Sequence, residues 1–159
     1  MKFVIQRVSK AEVFVKKIEA EGRIEEELKG QIGCGFLVLV GICADDTEAI
    51  ADKMVRKMLG LRIFADSNGK SNLDLATVNG SLLLVSQFTL YADCKKGNRP
   101  SFINAADPIV AEELYQYVVS ACAKEVETVK SGVFGASMRV SLVNEGPYTI
   151  ILDSDEILL

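Results

Sequence analysis

The sequence predicts an α+β fold: an antiparallel-rich, barrel-like β-sheet with two main helices on one side of it. Three observations predict this. Short apolar or alternating runs recur between turn signals. Two segments carry helical spacing behind capping residues. The strands follow one another in hairpins rather than in strict strand–helix alternation. With 49 % apolar residues a chain of 159 can bury a real core. No internal repeat, linker or low-complexity stretch divides it, so residues 1–159 read as a single domain.

Lys2 to Val8 alternates and reads as a first strand; after a turn at Ser9-Lys10, Ala11 to Lys16 reads as a second. Lys17 to Gly30 is charged, with Glu25-Glu26-Glu27, and reads as a long solvated hairpin excursion, expected to be mobile. Phe36 to Ile42 is a continuous apolar run bounded by glycine, the pattern of a buried strand. Asp45-Asp46-Thr47-Glu48 supplies helix-start chemistry, because a short polar side chain accepts from the first free amides and acids suit the positive end of the dipole. Ile50, Met54, Val55, Met58 and Leu61 then recur at helical spacing. Leu61 to Phe64 reads as extended, and Asp66-Ser67-Asn68-Gly69 and Asn79-Gly80 as turns.

Leu82 to Val85 reads as a central strand that Ser86 to Thr89 continues without a break. Asp93 to Pro100 is a polar loop. Asp107-Pro108 starts a helix, with a capping acid and proline at the first helical position. It runs to about Lys124 with Leu114, Val118 and Ala121 inward. Val126 to Lys130, Met138 to Val143 and Thr149 to Leu152 read as closing strands. The sum is about seven strands and two helices, which favours an antiparallel-rich sheet or barrel.

Composition removes several classes of function. There is no histidine, which excludes histidine-dependent triads and zinc motifs that need imidazole. The formal charge, 18 − 22 = −4, does not advertise nucleic-acid binding. No apolar run reaches membrane-spanning length. Met1 to Arg7 breaks its apolar pattern too early for a secretory signal, so a cytoplasmic location is expected. Cys34, Cys43 and Cys122 lie in apolar segments and are expected in the core; Cys94 lies in a polar loop. No C-x-x-C pair or carboxylate cluster has metal-ligand spacing, so neither metal nor cofactor is expected.

Three segments carry more chemistry than a strand or turn requires. Ser86-Gln87-Phe88-Thr89 reads most simply as the polar end of a buried strand. Its hydroxyls, amide and main-chain N–H groups are also donors of the kind that polarise a carbonyl and hold an oxyanion. Asn144-Glu145-Gly146-Pro147 reads most simply as a hairpin turn, since Asn and Gly tolerate positive φ and proline stiffens a turn. A Gly-Pro peptide there would also present its carbonyls in a fixed direction. Lys95-Lys96-Gly97-Asn98-Arg99 is ordinarily a solvated loop, and equally a compact basic stretch able to meet phosphates.

These segments, with Gln6-Arg7-Val8, Leu61-Arg62-Ile63-Phe64, Asn72, Ser86 to Tyr91, Lys96 to Phe102, Gly132 to Ala136 and Val140 to Pro147, closely resemble the D-aminoacyl-tRNA deacylases. The resemblance covers nearly the whole chain. It implies a homodimeric barrel-like fold that hydrolyses the ester joining a D-amino acid, or glycine, to the terminal adenosine of tRNA. It also implies a cis Gly146–Pro147 bond, inserted as a chiral filter into the other subunit's pocket. Ser86, Gln87, Phe88 and Thr89 would form that pocket. Arg7 would fix the Gly-Pro loop, with Asn144 and Thr149 beside it, and Phe134 and Met138 would line the nucleotide side. Lys95, Lys96 and Arg99 would meet tRNA phosphates.

Two departures stand out. The Lys17 to Gly30 segment is longer than in compact members. Tyr148 stands where many members carry a smaller apolar residue, as it does in a sister group with a trans Gly-Pro and looser chiral selection. The Ser86-Gln87-Phe88 side favours the stricter D-specific group. With no base to activate Thr89, the expected catalyst is the substrate's own ribose hydroxyl, and Thr89 orients rather than attacks. The rival reading is a non-catalytic nucleic-acid-binding module using the 95–99 loop, against which net acidity counts.

Overall fold

The computed structural model describes residues 1–18 and 24–157. The strands are β1 (Lys2–Ile18), β2 (Ile24–Ile32), β3 (Gly35–Gly41), β4 (Phe64–Ala65), β5 (Ser71–Leu73), β6 (Ser81–Ser86), β7 (Val129–Ser131) and β8 (Met138–Asp153). The helices are α1 (Glu48–Leu59), α2 (Pro108–Glu125) and a short α3 (Ser154–Ile157), with a 3₁₀ turn at Phe88–Tyr91. The main sheet runs β2-β1-β3-β6-β7, and β8 pairs along the other side of β1. All three pairings of β1 are antiparallel. The sheet curls until Gly30 of β2 lies against Lys130 of β7 and Leu83 of β6, so the barrel is nearly closed.

β1 is one strand where the sequence reads as two. Its buried residues are Phe3 and Ile5, then Val8, then Ala11, Val13 and Val15. The inward face therefore changes parity twice, and each change coincides with a register shift against β8, between Gln6 and Val8 and between Val8 and Lys10. A strand alternates strictly between its two faces, so only an irregularity can swap which side is buried. Ser9-Lys10 is the exposed part of such an irregularity, not a turn. The swap moves β1 between two cores. Phe3 and Ile5 belong to a core shared with the helices. Val8, Ala11 and Val13 belong to a second core inside the barrel.

β3 and β6 separate these cores and are buried on both faces. Phe36, Val38, Val40, Leu82 and Leu84 point to the helices, while Leu37, Leu83 and Val85 point into the barrel. This is why their sequences are continuous apolar runs. β3 pairs with β6, and β6 with β7, in parallel. The crossovers pass through α1 and α2, so strand–helix–strand alternation is present after all. The small β4–β5 hairpin between α1 and β6 hides it from the sequence pattern.

Both helix starts form as their residues predict. Thr47 Oγ1 accepts from the Ile50 N–H at 3.3 Å, and Asp107 Oδ1 from the Ile109 N–H at 2.9 Å. α1 buries Ala51, Met54, Val55 and Met58; α2 buries Ala111, Leu114, Tyr115, Val118 and Cys122, while Ala121 is half-buried. Asp46 does not cap. It pairs with the buried Met1 ammonium, which also donates to Ser154 Oγ at 2.6 Å, and it accepts from the Cys43 N–H at 2.8 Å.

Of the Lys17–Gly30 excursion, Lys17 and Ile18 of β1 pair antiparallel with Glu25 and Ile24 of β2; residues 19–23 lie outside the described residues. Cys122 is buried, its thiol pushed up to about 12 by burial. Cys34 is exposed, contrary to expectation, because Gly33-Cys34 forms the corner between β2 and β3. Cys43 is half-buried and Cys94 exposed. No helix among the described residues is long and apolar enough to cross a membrane.

Candidate active site

The parallel pairing of β3 and β6 brings Val40 opposite Ser86, and a pocket of about 590 Å³ opens where β6 ends. Crevices beyond the carboxyl ends of parallel strands are common ligand sites, since the chain there leaves the sheet and exposes main-chain groups. Ser86, Gln87 and Phe88 form one side. Phe102, Ala105, Ala106 and the start of α2 at Pro108 and Ala111 form another. Phe134 to Ala136, Met138 and Val140 complete it over a floor of Val40, Ile42 and Val85.

The expected unbroken strand from Leu82 to Thr89 stops at Ser86. The Gln87 N–H makes a last bond to the Val40 carbonyl at 2.8 Å, and the chain then coils into the 3₁₀ turn. Leu90 of this turn packs onto Gly41, where a Cβ would lie 2.9 Å from Leu90 Cβ; only glycine lets the turn seat so closely on β3. The Phe88 and Thr89 N–H groups open the turn and have no acceptor among the described residues. Gln87 Nε2 donates to Thr89 Oγ1 at 2.5 Å. Thr89 is exposed and lies one residue beyond the pocket lining.

Phe88 meets Phe102 edge to face, with centroids 4.9 Å apart. Between these aromatics the chain makes the 93–101 loop, closed by paired main-chain bonds of Asp93 and Ser101 at 2.7 and 2.9 Å. Lys95, Lys96 and Arg99 are exposed on this loop, at the rim and not within the pocket. Phe134 is backed by buried Tyr115, centroid to centroid 6.0 Å. The Tyr115 hydroxyl donates to the Leu84 carbonyl at 2.9 Å, and burial raises its pKa.

Arg7, Asn144, Gly146, Pro147 and Thr149 gather elsewhere. Val8 pairs with Asn144 and Gln6 with Thr149, so four residues of β8, Glu145 to Tyr148, stand opposite Arg7 alone. The extra residues bow outward, and Gly146 and Pro147 are exposed, joined by a cis peptide bond. Arg7 holds the bow: its Nε donates to the Glu145 carbonyl at 3.0 Å, its Nη1 to the Ile63 carbonyl, and its guanidinium lies 4.9 Å over the Tyr148 ring. Gly146 has φ 122°, a conformation that favours glycine, and a Cβ there would lie 2.5 Å from Arg7 Nη2, so a larger residue would displace the bracing guanidinium. Asn144 secures the base, accepting from the Tyr148 N–H at 2.9 Å and donating to Thr149 Oγ1 at 3.0 Å.

Within one chain, then, Ser86, Gln87, Phe88, Phe134 and Met138 meet in the pocket, and none of the Arg7–Gly146–Pro147 group lines it. Ala105, Ala106 and Ala111 line the pocket without having been expected, since small apolar side chains carry no chemical signature. The one available signal was the Asp107-Pro108 helix start, five residues after Phe102. Among the described residues no group of three or more Cys, Asp or Glu gathers as a metal site.

A family model described as D-Tyr-tRNA(Tyr) deacylase matches residues 4–153. A D-aminoacyl-tRNA deacylase of Thermosipho africanus (strain TCF52B) is 48 % identical over 157 residues, 99 % of each chain. Among solved structures, a c-Myc DNA unwinding element binding protein superposes with a TM-score of 0.84 at 40 % identity, over 96 % of this chain and 98 % of that one. A probable eukaryotic D-amino acid tRNA deacylase superposes with a TM-score of 0.75 at 17 % identity, over 95 % and 97 %, a likeness of fold alone.

Fold and comparisons together define the class: a hydrolase acting on the ester bond of aminoacyl-tRNA. Within that class the chain belongs to the D-aminoacyl-tRNA deacylase family.

Proposed function

We propose that this chain removes D-amino acids, and glycine, from tRNA as a homodimer, with Gly146–Pro147 of one subunit entering the Ser86–Thr89 pocket of the other. The separation of the two residue groups within one chain supports this. The pocket is open and apolar, while the Gly146–Pro147 bow is exposed and braced from behind by Arg7. Each half is built, and neither completes a site on its own chain.

In the paired site the bowed main chain stands where an L side chain would point. A braced backbone excludes such a side chain by collision, whereas a D side chain projects away and glycine has none. The open Phe88 and Thr89 N–H groups and the Gln87 amide receive the ester carbonyl. The ribose hydroxyl beside the ester, held in place, assists the attack of water. Phe134 and Met138 take the adenosine. Lys95, Lys96 and Arg99 at the rim contact phosphates, and a cytoplasmic location follows from the substrate.

Subunit complementation tests this. Gln87→Ala subunits and subunits altered at Pro147 are each inactive as pure dimers. In mixed dimers one site has a sound pocket facing a sound loop, so an equal mixture recovers about a quarter of wild-type activity on D-aminoacyl-tRNA. No recovery in verified mixed dimers overturns the shared site.

A further inference from the structure

The solvent face of α1 carries a charged surface that neither the pocket nor the Gly146–Pro147 bow uses. Lys53, Arg56 and Lys57 stand at i, i+3 and i+4, neighbours on one face, while Ala51, Met54, Val55 and Met58 bury the opposite face. The three cations line a concave groove of about 340 Å³ whose floor is Gly60, Leu61 and Ile157. The plain reading is a solvated helix face. Two observations go beyond it. Like charges at this spacing oppose helix formation. The dipole of the helix favours cations in the last turn, which accounts for Arg56 and Lys57 but not for Lys53.

Among the described residues no carboxylate pairs with these charges. Asp52 on the same helix accepts instead from the Tyr117 hydroxyl at 2.9 Å, and α3 places Asp155 and Glu156 beside Ile157 without pairing them to the triad. Arg62, next along the chain, is already bound to the Asn72 carbonyl at 2.7 Å, so it is not counted with the groove.

The groove also has a structural address. Its floor residue Leu61 lies two positions from Ile63, whose carbonyl receives Arg7, and Arg7 in turn holds the Glu145 carbonyl. The basic groove and the Gly146–Pro147 bow are therefore linked through Ile63 and Arg7. If that bow serves a second subunit's pocket, as proposed above, the groove lies on the subunit whose bow meets the 3′ end of the RNA.

We propose that Lys53, Arg56 and Lys57 form a phosphate-binding groove that grips the backbone of the tRNA substrate away from its reacting end. This rests on the deacylase reading and extends it to the RNA body. The donor set fits phosphates: two point-charge ammoniums, one guanidinium fork and an apolar floor that tolerates sugar. It offers no amide or carboxylate aimed into the groove to read a base edge, so the grip is independent of sequence.

The test compares wild type with Lys53→Ala/Arg56→Ala/Lys57→Ala on two probes: deacylated tRNA across a salt titration, and hydrolysis of D-aminoacyl-adenosine, which lacks the RNA body. At about 0.15 M salt the triple variant binds tRNA roughly tenfold more weakly, and its log–log salt slope is shallower by about two to three. Its hydrolysis of D-aminoacyl-adenosine matches wild type, and its thermal midpoint is no lower, because like-charge repulsion along α1 is removed. The charge-conserving Lys53→Arg/Arg56→Lys/Lys57→Arg variant restores tRNA affinity. Unchanged affinity and slope overturn the proposal, as does an equal loss on the adenosine substrate, which would mark a structural role. Polyglutamate competing as well as tRNA overturns the assignment to RNA. A wild type that binds tRNA through the triad yet hydrolyses no D-aminoacyl-tRNA sinks the deacylase reading and leaves the groove standing.

Discussion

Thr89, one residue beyond the pocket lining, carries a hydroxyl that invites the role of nucleophile, and its surroundings argue against that role. It is exposed, its oxygen is occupied by the Gln87 amide, and the chain has no histidine to take its proton. Thr89→Ala therefore retains measurable turnover, slowed by roughly tenfold to a thousandfold as for a lost orienting hydrogen bond. Substrate lacking the terminal 2′-hydroxyl should be nearly inert with the wild-type enzyme in the same assay. An aminoacyl adduct trapped on Thr89 would reverse the assignment. Arg7 makes the complementary case. Lysine keeps the charge but cannot bond two carbonyls and cover the Tyr148 ring together. Arg7→Lys should lower kcat/KM by roughly tenfold to a hundredfold through a misplaced Gly146–Pro147 bow. Its fold stability should stay near wild type, and a collapse of the thermal midpoint would contradict this. Ser86 and Gln87 stand out in the sequence because their chemistry exceeds what a strand end needs, whereas Phe88 is expected at the pocket only through the family resemblance. Ala105, Ala106 and Ala111 do not stand out, because an alanine facing a pocket and one facing a core are chemically alike.

At the scale of elements, the β1–β2 hairpin is held by charge. The Lys17 and Lys29 ammoniums hold the Glu27 carboxyl down to about 2, and the Arg139 guanidinium lowers that of Glu26. An acid whose pKa falls on folding stabilises the fold fully above its ordinary value near 4.5, and that contribution disappears as the pH drops toward about 2. The hairpin should therefore loosen across that window in acid. It should do so more readily in high salt, because these groups are exposed and screened. Carboxyl titration followed by NMR checks both; a Glu27 titrating near 4.5 would show the pairs are not formed in solution. Elements whose signal is local were readable in the sequence, such as the apolar run of β3 and the Asp107-Pro108 start of α2. Elements whose form depends on a distant partner were not. Ser9-Lys10 looks like a turn because two irregularities against β8 break the alternation of β1. Thr89 looks like strand because nothing nearby says that main-chain pairing ends at Gln87. Asn144 to Pro147 looks like a hairpin turn, yet both of its flanks pair with β1 as one long strand.

At the scale of the molecule, the buried Met1 ammonium donates to Ser154 and has Asp46 as its one carboxylate partner among the described residues. Removing that partner strands the charge, so Asp46→Ala should lower stability by about 3–5 kcal/mol in denaturant titration. A loss of less than about 1 kcal/mol would mean that water reaches the amine and the pair is no more than a surface contact. β1 links the remaining parts, because its first half is a wall of the helix-side core and its second half a wall of the barrel core. Such a strand leaves no seam along which one core can open while the other stays shut. In native-state hydrogen exchange under rising denaturant, the amides of Phe3 and Ile5 should merge onto the same isotherm as those of Ala11 and Val13. Two isotherms would mean that the irregularities around Val8 act as a hinge between independently opening units. One isotherm would mean that cooperativity passes through the place where the strand changes faces.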